Sequence, residues 1–451
     1  MTGVTPQGGL TRWKQALGLD FHVIVTLLFR GWSVVAGAAM LFLLPLWLSP
    51  TQLGYHFTFA SLLALQIFFE LGMNQVVTQI TAHELAHLES KPDGSLTGQA
   101  SRLDRLSALA SLLQRWYLVA SSLFFITASL AGMLFFSRDA AASQVTWLGP
   151  WLLLCAATAV NLFLSPTLAM LEGAGCIGEV ARLRLVQSIA GYSLMAIALA
   201  AGTGLWASTL IALSASIVSA IWIRRSARMI HWLRQRMPET KERIDWRRDI
   251  FPFQWRIAIS WISGYFIFQL FTPLIFVNQG AVEAGRFGLV LAIFNSIQSI
   301  GMSWVYSRSP QMAASISRGD GEALRSIFMS AVKPSVSFTA LASTSVILGV
   351  WALGQIGFDV AQRISSLTVI VCMALVTVTN AMIFAFAVFM RAHKQEPMMA
   401  LSATLAVITI STTSWSSLYS VELTAKLYLA ATVFISLPWS FRLFQPYWKR
   451  L

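Results

Sequence analysis

The chain has 451 residues, of which 56% are hydrophobic and only 11% charged. A soluble globular domain carries about 25% charged residues, so less than half the usual quota is left to face water, and the mean hydropathy of +0.66 agrees. The net charge is nevertheless +13. In a soluble chain that excess would suggest nucleic acid, but this composition leaves no soluble domain to bind it, so no nucleic-acid partner is expected and the chain reads as an all-α polytopic membrane protein.

Crossing about 30 Å of hydrocarbon takes roughly 20 apolar residues in a helix, and a helix satisfies its own backbone in lipid. The N-terminal segment holds Arg12 and Lys14 but no short apolar core with a cleavage site, so the first run, 22–48, reads as a span and not as a signal peptide. Further runs follow at 54–79, 117–137, 147–171, 184–203, 205–223, 251–278, 286–306, 334–354, 365–389, 397–416 and 424–443, which predicts about 12 transmembrane helices. Tryptophans sit at the run ends, with Trp47, Trp147, Trp206 and Trp351 on one side and Trp116, Trp222, Trp255 and Trp439 on the other, as an interfacial belt requires. Cys155, Cys176 and Cys372 have no CxxC spacing, so neither a disulfide framework nor a metal cluster is expected.

Of the 32 Lys and Arg, 26 fall in alternate connections on one side and 4 on the other, while Arg30 and Arg256 lie within spans. The positive-inside rule places the basic side, with both termini, in the cytoplasm. A bacterial inner (cytoplasmic) membrane location is therefore expected. The most basic connection, 224–250, contains Trp232 and Trp246 and reads as a surface segment drawn to anionic lipid. It divides the spans six and six, giving expected units of 1–223, a linker of 224–250, and 251–451.

The two halves resemble each other. Span 1 carries Arg30 and then Pro45, with Gly54 opening span 2 and Gly72-Met73 closing it; span 7 carries Arg256 and then Pro273, with Gly285 before span 8 and Gly301-Met302 closing it. An amphipathic stretch with Asp-Gly follows in each, at Asp93-Gly94 and Asp320-Gly321. Both halves start on the same side, as in a parallel repeat about an axis along the membrane normal, an arrangement common in transporters.

The run Arg256 to Phe276, Gly285-Arg286-Phe287-Gly288 and Pro310 to Ser326 resemble the second half of polysaccharide (O-antigen and exopolysaccharide) flippases of the MOP exporter superfamily. Leu53-Gly54-Tyr55 and Phe69-Glu70-Leu71-Gly72 resemble the first half. The resemblance implies two six-helix lobes in a V around a central cavity lined by spans 1, 2, 7 and 8. It also implies transport of a lipid-linked oligosaccharide, on undecaprenyl pyrophosphate, from the cytoplasmic to the periplasmic leaflet by alternating access. The drive would be the membrane potential or a coupling cation; polysaccharide polymerase and chain-length proteins would be partners, and no cofactor is implied. A major-facilitator protein has the same span count but a short loop with a Gly-Asp-Arg/Lys motif after span 2, whereas 80–114 here is long and lacks one.

An ionisable group in hydrocarbon costs a few kcal/mol and is a site hypothesis by default. Arg30 and Arg256 lie about 12 Å and about 8 Å from the inner ends of their spans at 1.5 Å per residue. Guanidinium forks suit a pyrophosphate, and Glu70 on span 2 would pair with or tune them; the competing reading is that both arginines snorkel to the interface. Tyr265 and Gln269 on span 7, and Asn295 and Gln298 on span 8, could bond sugar hydroxyls or bridge helices. On the same scaffold the alternative is a multidrug or small-solute antiporter, which would need an acidic cavity for organic cations.

A different class is raised by His83-Glu84-Leu85-Ala86-His87, which matches the HExxH pattern of zinc proteases. Glu89 stands where an apolar residue is usual and no third ligand follows in a later span, so a solvated helix is the simpler account. There is no Walker-type loop for an ATPase and no long outside loop for a polymerase, so no enzyme is expected.

Overall fold

The computed structural model describes residues 21–90, 95–139, 143–236, 251–356, 363–393, 395 and 397–449. The N-terminal segment, the Asp93-Gly94 pair, linker residues 237–250 and the side chain of Arg256 lie outside the described residues.

Among the described residues ten helical segments are long and apolar enough to cross a membrane, and one pair bent by 43° makes an eleventh if it is taken as a single span. The remaining predicted run, 397–416, is a helix of 18 residues, Met399–Ser416, rich in Ser and Thr. Among the described residues the expected count of about twelve is thus met by ten apolar segments, the bent pair of span 2, and the helix Met399–Ser416.

The first half begins with α1 (Phe21–Trp47). Ser49 then caps α2 (Pro50–Leu63): its side chain accepts from the Gln52 amide while Gln52 reaches back, and Pro50 supplies a preset first turn. A 3-10 turn, Ala64–Gln66, leads to the short α3 (Ile67–Glu70). There the span breaks. Leu71 (φ 49°) and Gly72 (φ 68°) are both left-handed, and α4 (Met73–Leu85) leaves at 43°. A non-glycine residue in that region costs on the order of 1 kcal/mol, so tertiary packing must hold the bend. The packing is tight here, because a Cβ on Gly72 would collide with Ile257 of the second half.

After α4 comes an antiparallel hairpin of β1 (Leu88–Ser90) and β2 (Leu96–Gly98), with Leu88 opposite Gly98. Helices α5 (Ala100–Phe136), α6 (Leu148–Gly173), α7 (Ile177–Ala200) and α8 (Leu210–Ser226) complete the half. The described part of the linker is the amphipathic α9 (Arg228–Gln235). It was expected to face lipid, but Ile230 and Leu233 are fully buried. Ser107 donates to the Leu233 carbonyl at 2.7 Å, Arg234 donates to Thr167 at 3.1 Å, and Arg236 pairs with the buried Asp104 at 3.4 Å. The helix is docked on the ends of α5 and α6.

The second half repeats the plan with altered breaks. Span 7 is split into α10 (Phe251–Phe268) and α11 (Phe271–Gln279), and Gly280 turns into α12 (Ala281–Arg318). Helix α12 runs unbroken through Pro310 and ends at the left-handed Gly319; Asp320 then accepts from the Ala323 amide at the start of α13 (Gly321–Ile356). Next come α14 (Leu367–Ala392), α15 (Met399–Ser416) and a last span of α16 (Val421–Ala430), a π-helical turn (Ala431–Ser436) and α17 (Leu437–Lys449).

The halves meet most closely where α2 crosses α12. A Cβ on Gly54 would lie 2.6 Å from the Ala281 carbonyl carbon, one on Gly285 would lie 2.7 Å from the Gly54 nitrogen, and one on Gly288 would lie 2.5 Å from Phe57 Cβ. Small residues let helix backbones approach in this way in membranes. Beside the crossing, Tyr55 is fully buried, donates to Asp139 at 2.6 Å and meets Phe276 edge-on at 5.1 Å. At the same face Arg363, from the connection before α14, donates to the Leu48 carbonyl at 2.9 Å and to that of Pro45. Elsewhere the helices present apolar side chains outward, for example Val119, Ile126 and Leu134 of α5. Trp47, Trp116, Trp206, Trp255 and Trp351 are exposed as well, a surface suited to lipid.

Candidate functional site

Arg30 sits inside α1 with its side chain exposed, and among the described residues it makes no hydrogen bond or ion pair. It is a cation within the first candidate span, and no anion among the described residues pairs with it. Glu70 does not supply one. It lies at the break of span 2 and accepts from Asn74 Nδ2 at 2.7 Å. Asn74 in turn is reached by the hydroxyls of Tyr117 and Ser165, each at 3.4 Å. Span 2 therefore turns its carboxylate toward α5 and α6, and the anticipated pairing of Glu70 with Arg30 is not formed. Arg256 is on α10, with its side chain outside the described residues.

Tyr265 is 5% exposed and packs edge-on against Phe68 at 5.4 Å and Phe266 at 5.5 Å. It belongs to the contact between spans 2 and 7 and is separate from the other three polar residues expected on spans 7 and 8. Those three come together. Gln269, Asn295 and Gln298 line a cavity of about 280 Å³ within the second half. Three further polar residues complete it: Thr377 and Asn380 of α14, and Tyr428 of α16. Sequence reasoning passed over these. A signal was present, because Asn380 is a lone carboxamide in a strongly apolar span, where polar residues mark sites.

The backbone is irregular where it borders the cavity. Gln269 occupies the break between α10 and α11, and its own amide still bonds the Tyr265 carbonyl at 2.8 Å. Four residues on, Pro273 has no N–H to return to the Gln269 carbonyl. Broken helices at membrane depth are tolerated where they line a cavity. A second cavity of about 230 Å³ adjoins the first, sharing Phe268, Asn380 and Phe384 with it and reaching Tyr306, Arg391 and, on the π-helical turn, Ser436.

The HExxH pattern has a structural explanation. Helix α4 ends at Leu85, so His87 lies beyond it, and the His83 and His87 rings are 6.1 Å apart between centroids. Glu84 is 4% exposed and accepts from Arg102 and Arg105, each at 3.1 Å. A carboxylate held by two guanidiniums fastens α4 to α5 and is not free to act as a general base. No cluster of three or more His, Cys, Asp or Glu able to hold a metal occurs among the described residues.

No protein-family model and no curated protein matches the sequence. Solved structures do match. An inward-facing conformation of a multidrug resistance MATE family transporter of the MOP superfamily has a TM-score of 0.60 at 13% identity, covering 94% of each chain. An outward-facing conformation of such a transporter has a TM-score of 0.53 at 12% identity, again covering 94% of each chain. The chain has the fold of these transporters, and the structures it is similar to are transporters and not enzymes. At such identity the likeness speaks for the fold alone.

Proposed function

We propose that the protein is a flippase for a lipid-linked oligosaccharide. It would move an undecaprenyl-pyrophosphate-linked glycan from the cytoplasmic to the periplasmic leaflet of a bacterial inner membrane by alternating access of its two halves. The observation that carries this reading is Arg30, exposed inside span 1 and unpaired among the described residues. An arginine within a span costs up to about 2.5–3.5 kcal/mol on insertion scales, the full amount at the helix centre, and an anionic head group would offset that cost. The sole acid predicted within a span, Glu70, is engaged with Asn74, so the exposed charge on span 1 is positive. A pyrophosphate fits that charge, and an organic cation does not. Arg256 occupies the corresponding place on span 7 and is proposed to hold the same head group.

The test is a strain lacking the protein. It should accumulate undecaprenyl-linked glycan, which the wild-type gene clears and the paired Arg30→Ala, Arg256→Ala variant does not. Unchanged glycans together with altered drug sensitivity would refute the proposal in favour of a multidrug antiporter.

A further inference from the structure

The cavity of about 280 Å³ in the second half is set apart from Arg30 and has a different chemistry. We propose that it is a recognition site for one uncharged, hydroxyl-bearing ring of the cargo, a neutral sugar residue. The proposal rests on the flippase reading for the identity of the cargo, and it stands on the cavity's own features for the chemistry.

None of the residues lining this cavity is an acid or a base. Its polar side chains are carboxamides and hydroxyls, each carboxamide offering both donors and acceptors. That set discriminates against ions of either sign and favours a ligand with alternating donors and acceptors. Gln298 makes the need for a partner explicit: both its Oε1 and its Nε2 are buried and without a hydrogen bond. Leaving a buried polar group unpaired costs about 1–3 kcal/mol. Adjacent sugar hydroxyls, one donating and one accepting, answer both atoms at once.

The apolar part of the wall suits the other surface of a sugar ring. Phe271 and Tyr428 stand 4.6 Å apart and Phe268 and Phe384 6.0 Å apart, presenting aromatic surface beside the carboxamides. A pyranose has polar edges and a face of C–H groups, so it can use both. The two local departures from α-helix in the second half also border these cavities: the break at Gln269 and the π-helical turn ending at Ser436. Such turns are common at functional sites. The adjoining cavity is lined from Asn380 to Arg391, toward the end where α14 finishes.

Saturation-transfer NMR on the full-length protein in nanodiscs tests this with D-glucose and N-acetyl-D-glucosamine as probes. The expected result is transfer to ring protons of the sugar, displaced by neither sodium ion nor tetraphenylphosphonium and preserved in Arg30→Ala. In Gln298→Leu, and separately in Asn380→Leu, the sugar's affinity should fall about tenfold, equivalent to ~1.4 kcal/mol. Gln298→Asn, which keeps a carboxamide, should retain part of it and guards against a variant that merely fails to fold. Absence of transfer, transfer unaffected by Gln298→Leu, or displacement by tetraphenylphosphonium would each overturn the proposal. Sugar binding lost while Arg30→Ala, Arg256→Ala still blocks glycan export would sink this site and leave the flippase reading standing. Sugar binding retained in a protein whose deletion leaves glycans unchanged would do the reverse.

Discussion

The crossing of α2 and α12 sets a limit that a single side chain can break. Gly54→Val would place a Cβ 2.6 Å from the Ala281 carbonyl carbon, about 0.8 Å inside the 3.4 Å at which ordinary van der Waals contact begins. The obstacle is backbone on both sides, since the Gly285 position already lies against the Gly54 nitrogen, so no rotamer change relieves it. The helices must separate. Overpacking of this kind costs about 1–3 kcal/mol, and as a bias on two conformations of the halves that is a population shift of about 5- to 150-fold. Nitroxides on Thr51→Cys at the start of α2 and Val277→Cys near the end of α11, with Cys155, Cys176 and Cys372 replaced by alanine, report the separation by double electron–electron resonance. The Gly54→Val distribution should move to longer distances. Gly349→Ala is the control: nothing lies within 4 Å of its added Cβ, so the distribution should not move. An unchanged distribution in Gly54→Val, at unchanged thermal stability, would show that this crossing does not hold the halves together.

Arg363→Ala removes the donor to the last carbonyls of α1 and should shift the same distance in the same direction by about 1.5 kcal/mol; no shift would make the contact incidental. Glu84→Gln should lower the unfolding midpoint by the equivalent of about 2 kcal/mol, because two arginines lose their shared buried anion. His83→Ala should leave the midpoint alone, and purified protein should carry no zinc; stoichiometric zinc lost in His83→Ala would revive the protease reading. Burial, and secondarily the charge of Glu179, raise the Cys176 thiol above its ordinary pKa. Its thiolate therefore forms only as pH rises beyond that of a free cysteine, so maleimide labelling at neutral pH should be slower than for free cysteine and faster in Glu179→Gln.

The helical plan was legible because hydropathy along the chain is a one-dimensional signal, and the spans fell close to the predicted runs. Run 397–416 shows the limit, since its Ser and Thr make it ambiguous by apolarity alone. The hairpin at Leu88–Gly98 was hidden because three-residue strands are too short to show a period of two, although Asp93-Gly94 is a turn signal. The bend of span 2 could not be read either: Leu71 carries no preference for a left-handed conformation, and the neighbouring Gly72 lies against Ile257 of the second half. Of the site residues, Gln269, Asn295 and Gln298 were found by their polarity in apolar runs, but their convergence depends on the break of span 7. Tyr265, only four residues before Gln269, was drawn instead to the aromatic contact with Phe68.

Comparison of the two halves explains why the repeat matters. In the sequence Gly54 and Gly285 are merely equivalent; in the structure they touch each other. That contact is why neither position has room for a side chain. Away from it the two halves differ. Gly72 bends span 2 and leaves its carboxylate facing α5 and α6, whereas its counterpart Gly301 lies in the unbroken α12 against the Thr339 hydroxyl. The break in the second half has moved to Gln269, where it opens a neutral cavity and not a charged one. A duplicated scaffold thus carries a cation on span 1 and carboxamides in the other half. Under the proposed function, that division would seat the anionic end of the cargo on span 1 and an uncharged ring in the other half.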